Sequence, residues 1–156
     1  MSETPLDPAR LFEDVDTWEN RVRTAFRALD SSGRIGEQCW THYRQKLVKW
    51  RDNRMAVLAF FAAWPANRDQ RNALSLSSHA IAAYLRQARA PMRTSDLEPA
   101  LSADLLRWAV ANCQFMRERF TIADLLTFAG WWDDAGVTRV LRRVESACAS
   151  AEVKTA

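Results

Sequence analysis

The sequence has 156 residues, of which 48% are hydrophobic and 26% charged, with a net charge of +3; this excludes a disordered chain and suffices for a core that buries about 70% of the unfolded surface. No apolar run approaches the roughly 18 residues of a membrane span, and Met1-Ser2-Glu3-Thr4-Pro5 does not read as a secretory signal, so the expected location is the cytoplasm, with no membrane partner. Cys39, Cys113 and Cys148 are widely spaced and form no C-x-x-C pair, which excludes a zinc knuckle or a thioredoxin-type motif and is expected of buried, reduced thiols.

Proline at 5, 8, 65, 91 and 99 and glycine at 33, 36, 130 and 136 leave intervals suited to helices, and no window alternates with period two. The expected fold is all-α, a compact bundle of six to seven helices, as one domain or as lobes 1–90 and 94–156. A first helix is predicted from Pro8 to Asp30, with Asp7 as N-cap and one apolar face of Leu11, Val15, Trp18, Val22, Phe26 and Leu29. A second runs over 37–51 with Cys39, Trp40, Tyr43, Leu47 and Trp50 inward, and Asp52-Asn53 breaks or bends it. A third, 54–64, is apolar almost all round, which marks it as central, and Pro65 closes it. A fourth covers 75–89, with a start near Arg68 as the alternative, and stops at Arg89-Ala90-Pro91; residues 94–101 connect with one turn. A fifth starts at Ser102 as N-cap and runs to about Arg117. A sixth starts at Thr121, where Thr121-Ile122-Ala123-Asp124 resembles a capping box, and a seventh covers 134–151.

Nothing in the sequence reads as a catalytic constellation, and the expectation is a non-enzyme with no cofactor and no metal. The two histidines, His42 and His79, lie outside H-E-x-x-H and E-x-x-H patterns, and the glycine-rich phosphate loops and the G-x-S-x-G elbow are absent. Asp133-Asp134 is the one adjacent carboxylate pair, and it sits where a helix starts, which is the place of a dipole-stabilising cap.

The positive charge is unusual in kind, with 19 Arg and 3 Lys. Codon usage in a GC-rich genome produces such a bias. So does recognition of phosphate, because the guanidinium makes planar, multidentate contacts that ammonium does not. On the first helix the charges cancel through i,i+4 pairs such as Arg10–Asp14 and Glu19–Arg23. Three other helices carry rows of base without acid. His42, Lys46 and Lys49 form one strip of the second helix, Arg44 and Arg51 form the other flank of its apolar stripe, and no acid lies between Gln38 and Arg51. Arg86 and Arg89 share a face of the fourth helix, with Arg93 in line if the chain keeps its direction, and no carboxylate lies between Asp69 and Asp96. Arg139, Arg142 and Arg143 lie opposite Val137, Val140, Leu141 and Val144 on the last helix. Rows of this kind are either solvated faces, or pair with acids from other helices, or bind a polyanion without reading its sequence.

Three stretches of the second half of the chain, from Asn72 to Cys148, stand out together: Leu74-Ser75-Leu76-Ser77-Ser78-His79-Ala80-Ile81-Ala82, then Leu105-Leu106-Arg107-Trp108, then Phe120 to Leu126 with Ala129-Gly130-Trp131-Trp132, Val137 and Arg139 to Val144. In this order they resemble the small subunit of Cascade-type CRISPR effector complexes: the first is similar to an S-L-x-x-A-L-A helix start in that family, the second to an upstream helix, and the third is the closer likeness. The resemblance implies an all-helical, non-catalytic subunit present in several copies. Its partners would be guide RNA and target nucleic acid, both held by the backbone, other subunits of the complex, and further copies of itself. Two alternatives stand beside it. Residues 121–143 have a helix-turn-helix flavour, which would suit a DNA-binding regulator, although the turn from Trp131 to Gly136 is long for that motif. A helical adaptor that binds only protein would use Trp131 and Trp132 as interface anchors.

Overall fold

The computed structural model describes residues 15–153 and is all-α. Among the described residues there are eight α-helical segments and no strand: α1 (Val15–Phe26), α2 (Arg34–Asp52), α3 (Arg54–Ala62), α4 (Trp64–Leu74), α5 (Ser78–Gln87), α6 (Ala103–Asn112), α7 (Ile122–Phe128) and α8 (Asp134–Val153). Short 3-10 turns occupy Thr94–Asp96 and Cys113–Met116. The expected cap at Asp7 and Pro8, and the side chains of Leu11 and Val15, lie outside the described residues.

Local chemistry sets most of the helix ends. Gly33 precedes α2 without a side-chain cap, and Asp30 supplies one from further back. Its carboxylate accepts the Ile35 N–H at 2.8 Å and the Ser32 N–H at 3.0 Å, and these bonds, the Ile35 one first, hold Asp30 below the usual carboxylate range. Asn53 ends α2, its side-chain amide donating to the Lys49 carbonyl at 2.8 Å. Ser102 Oγ accepts the Leu105 N–H at 3.1 Å and starts α6. The capping box at Thr121 forms with aspartate in place of glutamate: Thr121 Oγ1 accepts the Asp124 N–H at 3.3 Å, and Asp124 Oδ2 accepts the Thr121 N–H at 2.7 Å.

Three expectations change. Pro65 does not end a helix; it sits in the first turn of α4, where a residue without an N–H forfeits no hydrogen bond. The fifth predicted helix stops at Asn112 and tightens into the 3-10 turn rather than reaching Arg117. The third predicted helix is not central: Val57 and Phe61, one turn apart on α3, are buried, whereas Met55 and Phe60 are exposed.

The chain forms two compact units, one of the described residues up to Ala59 with Ala111–Asp134, the other of Phe60–Val110 with those from Ala135 onward. The first has an aromatic core. Trp18, Val22 and Phe26 of α1 and Trp40, Tyr43, Leu47 and Trp50 of α2 are buried, as the apolar spacing requires, whereas Leu29 lies past the end of α1 and is exposed. A Cβ at Gly36 would lie 3.1 Å from the Arg23 carbonyl oxygen, so glycine there lets α2 approach the α1 backbone closely. Phe115 meets Tyr43 edge-on at 4.9 Å, and Phe128 lies 4.7 Å from Trp50 and 5.6 Å from Trp18 between ring centres.

In the second unit, contacts from α5, α6 and Met92 hold α8. The Arg107 guanidinium of α6 donates to Thr138 Oγ1 at 3.0 Å, the Cys148 thiol donates to the Met92 carbonyl at 3.4 Å, and the Arg86 guanidinium of α5 donates to the Ala151 carbonyl. The side of α5 that is buried carries Ala82. Its apolar side chains Ile81, Tyr84 and Leu85 are exposed, between about 60° and 160° round the helix from Ala82.

Candidate nucleic-acid interface

The basic row of α2 is not an outward row. Lys46 is only 4% exposed and Asp124 is fully buried. The ammonium donates to Asp124 Oδ1 at 2.9 Å and Oδ2 at 3.2 Å and to the Gln114 carbonyl at 2.8 Å, so its three protons are directed into the first unit. The reason is positional: Lys46 stands three residues after Tyr43 and four before Trp50, on the flank of the stripe that α2 buries. Lys46 is therefore withdrawn as a ligand-binding residue. His42 Nδ1 faces Glu118 at 3.2 Å, and Arg51 is half-buried. Arg44 and Lys49 remain exposed, and neither has a counter-ion among the described residues. Both line an open groove of 730 Å³ formed by α1 and α2. Arg23 at the same groove is neutralised by Glu19 at 2.7 Å and by Glu37.

The row on α5 does not run straight either. Arg86 is half-buried and directed at the end of α8, so it serves packing and not an open face. Arg89 is exposed but adopts a left-handed backbone with φ of 54°. The Ala90 N–H reaches back to the Leu85 carbonyl at 2.9 Å, a Schellman closure with arginine where glycine is usual. The chain turns there, so Arg93 does not extend the row. Its own N–H donates to Asp96 at 3.0 Å, and that bond, ahead of the Arg93 charge, lowers the Asp96 carboxyl.

The row on α8 is open. Arg139, Arg142 and Arg143 are all exposed and fall within about 100° of one another round the helix. None has a counter-ion among the described residues. Ser146 and Ser150 continue the same face, a feature that sequence reasoning left out and that the 3–4 spacing from Arg142 and Arg143 could have supplied. Val137 and Cys148 are buried and Leu141 is half-buried, whereas Val140 and Val144 are exposed. Trp131 and Trp132 are half-buried, placed by Gly130, whose φ of 71° turns the chain so that both backbone N–H groups reach the Leu126 carbonyl at 2.8 and 3.1 Å.

No group of three His, Cys, Asp or Glu side chains is placed to hold a metal ion among the described residues. Burial pushes the Cys39 and Cys113 thiols up, away from the thiolate that nucleophilic chemistry requires. No helix is long and apolar enough to cross a membrane among the described residues. Compared with family models, curated proteins and solved structures, the chain matches none of them.

Proposed function

We propose that this chain binds the phosphate backbone of a nucleic acid through the arginine face of α8. It does so without base readout and without catalysis, as a subunit of the kind of CRISPR ribonucleoprotein that its second half resembles. The single observation that carries this reading is the exposure of Arg139, Arg142 and Arg143 on one arc with no counter-ion among the described residues. Three guanidinium groups so placed concentrate a positive potential that favours an external polyanion. The arc sits on a 20-residue helix held from behind by α5, α6 and the Met92 carbonyl, so the backbone that carries the arginines is already ordered before binding. Arg139 lies about 4.5–6 Å along the axis from the adjacent pair Arg142 and Arg143, a spread that suits neighbouring phosphates of a chain better than a single small anion.

Fluorescence anisotropy with unrelated labelled RNA and DNA tests it. The wild-type chain binds both, with affinity falling steeply as salt rises. Replacing Arg139, Arg142 and Arg143 together by Gln reduces the slope of log affinity against log salt by about 2 to 3, while circular dichroism is unchanged. Equal binding by the triple variant overturns the reading. So does a strong preference for one palindromic duplex, which is the behaviour of a regulator.

A further inference from the structure

The second unit holds a cavity of its own. It measures 700 Å³ and lies between the segment 91–97, α6 and α8, on residues of that unit alone. Its walls are mostly apolar, with Leu97, Leu106 and Val110 on one side and Val140, Leu141 and Val144 on the other. Leu97, Val140 and Val144 are exposed and form its mouth. The walls are tied in place. Asp96 Oδ2 accepts the Arg93 N–H at 3.0 Å and the Met92 N–H at 3.3 Å, and the Leu101 N–H closes the segment on the Thr94 carbonyl at 3.1 Å. The Cys148 thiol, itself part of the lining, fastens this wall to α8 through the Met92 carbonyl at 3.4 Å. A pre-formed apolar cleft of this size, with a few polar groups at its edge, has the form of a small-molecule site.

The charge at the edge selects the ligand. Glu145 lines the cavity, is exposed, and has no ion pair among the described residues. Arg93 is the one base in the lining, and it is already engaged. The wall that follows it, from Thr94 to Leu106, carries three carboxylates and no arginine or lysine. We propose that this cleft binds a small apolar molecule that bears an ammonium group. The hydrocarbon body lies between Leu106, Val110, Leu141 and Val144, and the ammonium meets the Glu145 carboxylate. Val140, Leu141, Val144, Glu145 and Cys148 fall within about 140° of one another round α8 and are centred about 180° from Arg139, Arg142 and Arg143. The cleft is therefore on the opposite side of the helix from the arginine arc and is independent of what that arc binds.

Fluorescence titration of the full chain with dansylcadaverine, an apolar fluorophore with a primary ammonium, tests it, with dansylamide as the uncharged counterpart. The wild type binds dansylcadaverine saturably, one per chain, and about fivefold more tightly than dansylamide, the gain that a solvent-accessible ion pair gives at most. Glu145→Gln removes that preference and leaves dansylamide binding unchanged. Val144→Trp, at an exposed position of the mouth, fills the cleft and abolishes binding of both probes with the circular dichroism unchanged. The triple Gln variant of Arg139, Arg142 and Arg143 keeps the preference for the cation, which separates this cleft from the proposed phosphate face. A wild type that binds neither probe saturably overturns the proposal. So does equal affinity for the two probes, a preference that survives Glu145→Gln, or binding indifferent to Val144→Trp.

Discussion

At the scale of single residues the most consequential group is Lys46. Its ammonium and the Asp124 carboxylate are both shut away from water, and each satisfies the other. Removing one partner of such a pair leaves an uncompensated buried charge, so Lys46→Met destabilises the fold by about 3–5 kcal/mol, read as a lower urea midpoint. Asp124→Ala costs more, because the same carboxylate also accepts the Thr121 N–H at the start of α7. Tyr43 beside them is the opposite case. Its hydroxyl is buried with no hydrogen-bond partner among the described residues, so Tyr43→Phe changes stability at neutral pH by less than about 1 kcal/mol. Burial first, and the Asp124 charge second, push the Tyr43 phenol well above its ordinary value. The folded state therefore keeps a proton that the unfolded chain releases above about pH 10. The stability tied to that proton is complete below pH 10 and is lost as pH rises from there toward the folded value. Urea unfolding above about pH 10 shows Tyr43→Phe losing less than the wild type.

At the scale of elements, two helices end in the same way with different residues. Both α5 and α7 close with a left-handed position, filled by Arg89 in one and Gly130 in the other. Arginine is strained there and glycine is not. Arg89→Gly therefore raises stability by about 1 kcal/mol, and Gly130→Ala lowers it by about the same, measurable as opposite shifts in Tm. The starts of α6 and α7 were legible because Ser102 and Thr121 carry their own cap chemistry. Pro65 was not, because proline follows one helix and opens the next with equal ease. The burial of α1 and α2 was legible because their apolar spacing is strict and their aromatic side chains are large. The orientation of α5 was not. Periodicity reveals an apolar stripe without saying what covers it, and in this fold the small Ala82 faces inward while Ile81, Tyr84 and Leu85 face out.

At the scale of the whole molecule, the three basic rows read from sequence have three different fates. The differences arise from contacts between segments 65 to 78 residues apart: Arg86 with Ala151, and Lys46 with Asp124. A window of sequence that spans one helix holds no information about either. If the α8 face alone carries the ligand, the salt slope on duplex DNA is no steeper than about −3, and about −2 on single strands. A steeper slope in the same titration assigns Arg44, Lys49 or Arg89 to the interface as well. The first unit has a further property that bears on its synthesis. Its two stretches are separated by the whole of Phe60–Val110. A ribosome adding roughly 5–20 residues per second delivers Asp124 about 4–16 seconds after Lys46. Throughout that interval the nascent chain holds an ammonium with no carboxylate to receive it, and the rings of Trp18, Tyr43 and Trp50 have neither Phe115 nor Phe128 to lie against, which makes this stretch a natural client for a chaperone at the exit tunnel.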